Sequence, residues 1–119
     1  MNTDTSTRVC ALSDLDDLKP ATFEVGDVPV VLVRDGATVH ALYDACSHAA
    51  VTLSDGDVER DRKGRLGIQC WLHGSCFELS TGHPTSPPAT EPVDVFPTTV
   101  RDGDVFVDMS RVVAGIHQP

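Results

Sequence analysis

CSHAAV at positions 46–51 and CWLHGSCFELSTG at positions 70–82 are the stretches that decide how this chain is read. Each opens on a cysteine with a histidine close behind it, Cys46-Ser47-His48 in the first and Cys70-Trp71-Leu72-His73 in the second. Small residues follow both histidines: Ala49 and Ala50 after His48, Gly74 and Ser75 after His73. Such residues let backbone come close to a bound group bulkier than a single ion.

Each pair offers one soft thiolate and one neutral imidazole, since the thiolate and not the thiol is the metal-binding form. Two cysteines and two histidines at short spacing can close a tetrahedral zinc site. They equally suit a 2Fe-2S centre with the cysteines on one iron and the histidines on the other. Neither pair is flanked by the helix expected of a zinc finger. Four unrelated residues in a β-domain would be the plain alternative, but composition alone seldom assembles both pairs at motif spacing.

With CSHAAV and CWLHGSCFELSTG in hand, the chain resembles the Rieske proteins from about Val9 to Val107, and within them the bacterial ferredoxins of ring-hydroxylating oxygenases, actinobacterial ones in particular. The resemblance implies an all-β Rieske domain, an antiparallel β-sandwich with a small cluster-binding subdomain of two loops. It implies one [2Fe-2S] Rieske cluster held by Cys46, His48, Cys70 and His73, with the outer nitrogens of the histidines facing the partner. Ser75 matches the serine that donates to a bridging sulfide in high-potential relatives, while Phe77 stands where those relatives have an assisting tyrosine. One donor present and one missing imply a potential in the lower part of the Rieske range of about −150 to +300 mV. Respiratory relatives tie their two loops with a disulfide at the positions of Val51 and Leu72; both are apolar here, which points to the ferredoxin branch. Trp71, in a place where many relatives have proline, is expected to shield the cluster or to form part of the docking surface.

Length and charge narrow the function further. The chain has 119 residues, room for one core, which leaves no space for the catalytic domain of a whole Rieske oxygenase. A net charge of −9 argues against nucleic-acid binding. The start, MNTDTSTRVC, lacks the regions of a signal peptide, and no apolar run approaches the ~20 residues that cross a bilayer, so a soluble, cytoplasmic protein without a membrane partner is expected. Residues 14–27 and 91–108 each hold five acids against one base, while 45–53 and 71–77 carry no charged side chain. That pattern fits a carrier docking through a neutral tip, or simple solubility. Cys10 and Cys76 are expected to stay unbridged in a reducing compartment, Cys10 buried in a strand and Cys76 inert in neutral surroundings. His40, His83 and His117 are read as ordinary surface or strand residues.

Valine, 16 times in the chain, supplies β-branched residues suited to strands. Hairpins are expected at Val28–Val33 with Val39–Tyr43 around Asp35-Gly36, and at Val95–Arg101 with Val105–Met109 around Asp102-Gly103. Shorter strands are expected at Arg8–Leu12, Thr22–Val25, Leu66–Gln69 and Phe77–Ser80. SDLDDL at 13–18 suggests one helical turn capped by Ser13. LSDGDVERDRKGR at 53–65 reads as a solvated hairpin spacing the ligand loops, and the proline loop at 84–92, with Pro87-Pro88-Ala89, matches the loop that covers a Rieske cluster. The expected organisation is a flexible lead over 1–7, a Rieske domain over 8–109 with ligand loops at 45–53 and 70–77, and a tail over 110–119.

The function implied is a one-electron carrier between a flavin reductase and a terminal oxygenase, with no catalytic residues of its own. A redox-sensing or iron-sulfur-assembly accessory, and a zinc-stabilised interaction domain, are the other readings.

Overall fold

A computed structural model describes residues 6–44, 52–60, 64–70, 76–85 and 93–109. Among the described residues ten strands lie in this order: β1 Ser6–Ala11, β2 Ala21–Val25, β3 Val28–Asp35, β4 Thr38–Tyr43, β5 Val58–Arg60, β6 Leu66–Gln69, β7 Cys76–Glu78, β8 Val95–Phe96, β9 Thr98–Arg101 and β10 Asp104–Asp108. They form three sheets, ordered β1-β10-β9, β2-β3-β4-β8 and β5-β6-β7, and every pairing between them is antiparallel.

The middle sheet is the partition of the molecule. In β3 the run Val30-Val31-Leu32-Val33 is apolar on both faces and wholly buried, the pattern of a strand covered on each side. Val30 and Leu32, with Ala41 of β4 and Phe96 of β8, face a core completed by Cys10, Leu15, Val105 and Val107. Val31 and Val33, with Leu42 and Val95, face a second core built with Leu53, Leu66, Ile68, Cys70, Phe77 and Leu79. The period-two alternation of side chains thus sends neighbouring residues to different cores.

The turns follow backbone chemistry. Asp102 and Gly103 both take positive φ, 52° and 80°, between the paired residues Arg101 and Asp104, as a two-residue primed turn requires. In the β3–β4 hairpin the loop is displaced by one residue from expectation. Asp35 still pairs with Thr38, and Gly36, at φ 62°, begins the turn.

Three further expectations are corrected. Val95–Arg101 is not one strand: it breaks at Pro97, with β8 on β4 and β9 on β10. Proline has no N–H for a ladder, and its carbonyl accepts from Asp108 N–H at 2.9 Å. The helical turn near SDLDDL is a 3-10 turn over Leu12–Asp14 that opens at Ala11, so Ser13 lies inside it and does not cap it. Leu15 behind it is buried in the first core, and the Arg34 guanidinium binds the carbonyls of Leu12 and Leu15. Ser6 and Thr7, read as flexible lead, pair with Asp108 and Val107.

Candidate metal centre

Cys70 follows directly on β6, whose Leu66 and Ile68 are buried while Gly67 and Gln69 are half-buried. The alternation delivers Cys70 to the second core, where it is fully buried and forms no disulfide. Phe77, opposite Ile68 in the ladder, is also fully buried and brings no hydroxyl. A buried, unbridged thiol at a strand end is a suitable soft donor for iron in a 2Fe-2S centre. Among the described residues no three of His, Cys, Asp and Glu gather to hold a metal. Cys46, His48, His73 and Ser75 lie outside the described residues, as do Val51, Trp71, Leu72 and Pro87-Pro88-Ala89.

Residues 52–60, between the two cysteine-histidine pairs, are more ordered than a solvated hairpin. They open with a 3-10 turn over Leu53–Asp55, in which Leu53 is fully buried and Thr52 Oγ1 donates to Asp55 Oδ2 at 2.7 Å. Gly56 then lies against the backbone before Cys70: a Cβ there would stand 1.6 Å from the Gln69 carbonyl oxygen. Gln69 N–H donates to the Asp57 carbonyl at 2.8 Å, and β5 pairs with β6. Packing and hydrogen bonding therefore fix this segment to β6, the strand that leads into Cys70.

Asp44 escaped the sequence reading. It is the buried charged side chain among the described residues, 2% exposed, two positions before Cys46. Its Oδ1 accepts from Ser54 N–H and its Oδ2 from Ser54 Oγ, both at 2.8 Å. Its own N–H donates to the Pro29 carbonyl at 3.0 Å. The only signal in the sequence is an aspartate at the end of an apolar strand, too common to single out.

The other cysteines and histidines fall outside this frame. Cys10 is buried in β1, as expected, and burial pushes its thiol pKa up. Cys76 is half-buried, and burial, then Glu59, push its thiol up. Its surroundings are not neutral: Glu59, Arg60, Arg65 and Glu78 line the same small cavity. The acid there still disfavours the thiolate, so the thiol remains a poor nucleophile. His40 is half-buried on β4, and burial holds its imidazole below the usual range, with Asp35 opposing the shift. His83 is exposed, and its carbonyl accepts from Glu78 N–H at 2.9 Å.

Comparison with known proteins agrees with this frame. The family model for the Rieske [2Fe-2S] domain matches residues 5–97, which include both cysteine-histidine pairs. Ferredoxin CarAc of Metapseudomonas resinovorans is 36% identical over 104 residues, covering 84% of this chain and 90% of its own. The ferredoxin of carbazole 1,9a-dioxygenase from Nocardioides aromaticivorans IC177 superposes with a TM-score of 0.80 at 34% identity, covering 87% of this chain and 97% of its own. A solved complex of reduced oxygenase and oxidized ferredoxin in carbazole 1,9a-dioxygenase contains a chain with a TM-score of 0.77 at 31% identity, covering 96% of this chain and 98% of that one. A buried cysteine at a strand end, the all-β frame and a family match across both cysteine-histidine pairs lead to one conclusion: this chain belongs to the Rieske [2Fe-2S] domain family, and its cofactor is one Rieske cluster.

Proposed function

We propose that this chain is a one-electron carrier, taking electrons from a flavin-containing reductase and passing them to a terminal oxygenase. The observation that carries the reading is the family match over residues 5–97, joined to relatives named as ferredoxins of dioxygenase systems. The chain is the electron-transfer component of such a system and not a catalyst by itself. When bound, the cluster supplies a site that gains and loses one electron, at a potential that imidazole ligands raise above that of an all-cysteine centre.

Cys46 and Cys70 are the proposed thiolate ligands, and His48 and His73 the proposed imidazole ligands, which leaves each ring a second nitrogen for a proton or a hydrogen bond. Support comes from the burial of Cys70 and from the donor chemistry of the four residues. Ser75 is the proposed hydrogen-bond donor to a cluster sulfide. The proposed organisation is a domain that begins with β1 at Ser6, two residues before the expected boundary at 8, and runs to 109, with ligand loops at 45–53 and 70–77. No helix among the described residues is long and apolar enough to cross a membrane. The cytoplasm is the proposed compartment, in keeping with the unbridged Cys10 and Cys76.

Electron paramagnetic resonance before and after dithionite, followed by turnover with a flavin reductase and an oxygenase, tests the reading. A Rieske signal on reduction and reoxidation by the oxygenase are expected. A colourless protein that is silent after reduction and binds zinc instead would overturn it.

A further inference from the structure

Resting on the Rieske reading, we propose that Asp44 is the positioning residue of the first ligand loop: through Ser54, its buried carboxylate fixes where Cys46 and His48 stand relative to Cys70. Asp44 and Ser54 bracket residues 45–53, so two hydrogen bonds at 2.8 Å tie the start of that loop to its end. Both ends are anchored in turn. Asp44 N–H holds the Pro29 carbonyl at the start of β3. Ser54 sits in the 3-10 turn whose Leu53 is buried beside Cys70 in the same core, and Gly56 lies on the Gln69 backbone. The path from Asp44 through Ser54, Gly56 and Gln69 to Cys70 is thus continuous protein contact.

The chemistry explains the residue type. A buried carboxylate is costly unless its oxygens are satisfied, and here a backbone N–H and a hydroxyl of one residue satisfy both. Each arm engages one carboxylate oxygen, so the clasp depends on two-point geometry between residue 44 and Ser54. Asparagine keeps the shape: its carbonyl oxygen can accept from Ser54 N–H while its amide donates to Ser54 Oγ. Alanine removes both arms, and Ser54→Ala removes one.

The experiment uses the cluster-loaded full chain of wild type, Asp44→Ala, Asp44→Asn, Ser54→Ala and, as a destabilised control in the other core, Leu15→Ala. Bleaching in chelator and the resonance line shape of the reduced protein are read for each. Asp44→Ala should bleach about tenfold faster with a broadened signal, the usual scale for losing a group that orients a metal ligand. Ser54→Ala should fall between it and wild type, and Asp44→Asn should stay near wild type. Should Asp44→Ala not fold, Ser54→Ala alone decides, because its backbone N–H arm remains. The proposal is overturned if Ser54→Ala bleaches like wild type with an unchanged signal. It is equally overturned if Asp44→Asn bleaches as fast as Asp44→Ala, which would make charge the cause, or if Leu15→Ala accelerates bleaching as much as Ser54→Ala. A wild type without a Rieske signal would defeat the family function itself, whereas a normal wild type with indifferent variants would defeat only the role of Asp44.

Discussion

Gly56→Ala should destabilise this protein more than its modest chemistry suggests. At φ −94° the residue sits in backbone that alanine readily adopts, so conformation adds no penalty. The penalty is contact. The new Cβ would lie 1.6 Å from the Gln69 oxygen, where at least 3.0 Å is needed, and the obstacle is backbone, which cannot swing aside as a side chain does. Separating the two strains the Gln69 N–H bond to Asp57 at 2.8 Å and the Gly56 N–H bond to Leu53 at 2.9 Å. Overpacking costs about 1–3 kcal/mol and each weakened hydrogen bond about 1 kcal/mol, while the less flexible unfolded chain returns about 0.4–1 kcal/mol. The net loss is about 3 kcal/mol, and at about 4 °C per kcal/mol for a domain of this size the Tm should fall by about 12 °C. Calorimetry of the cluster-loaded protein measures it, with Gly64→Ala as comparison. That glycine has open space around it but φ of 82°, so its cost is only about 1 kcal/mol of left-handed strain. A Gly56→Ala protein melting within about 2 °C of wild type, or above Gly64→Ala, would refute the reasoning, since about 3 kcal/mol could not then be lost at this contact.

Ser75→Ala should lower the midpoint potential by about 60 mV in protein-film voltammetry, the one-electron equivalent of a hydrogen bond that is about 1.4 kcal/mol stronger in the reduced state; an unchanged value would exclude the hydroxyl contact. His40 carries a pKa depressed by burial from its ordinary 6.5, so it contributes stability that is present above that value and lost as pH falls through its lower folded value. Thermal melts from pH 7 to about 5 should therefore show wild type losing stability faster than His40→Gln. Arg60→Ala removes a bridge to Asp35 at 3.2 Å whose partners are 49% and 35% exposed, so chemical denaturation should register less than about 1 kcal/mol. Cys76 should alkylate with iodoacetamide more slowly at pH 8 than a free thiol does, because its raised pKa leaves little thiolate, and mass spectrometry of timed samples would show it.

How much of the molecule can be read in its sequence depends on whether a feature repeats. Leu66–Gln69 is a strand with the expected bounds because its alternation is undisturbed, and Asp102-Gly103 turns as expected because few dipeptides accept positive φ twice. Val95–Arg101 misleads because both halves favour strands and only Pro97 separates them, while the choice of sheet is made by β10, next along the chain, for one half and by β4, far away in it, for the other. Leu53 hides in a charged stretch: four acids and four bases between 53 and 65 make the segment read as solvated, yet its first residue fills the core beside Cys70. The cysteine-histidine pairs stand out because metal chemistry allows few residue types at fixed spacing. The brace behind them does not, since one aspartate and one serine ten residues apart are an ordinary pair until folding joins them.

The double burial of β3 has a consequence for inheritance. A wall shared by two rooms cannot be moved for one of them alone: enlarging Val31 presses on the side of Cys70, and the backbone shift it causes reaches Leu32 on the other side. The metal-bearing part is therefore no detachable cassette. Anyone transplanting it into another protein must carry β3 and β4 along, and must then supply a foreign lining for Val30, Leu32 and Ala41, which would otherwise meet water.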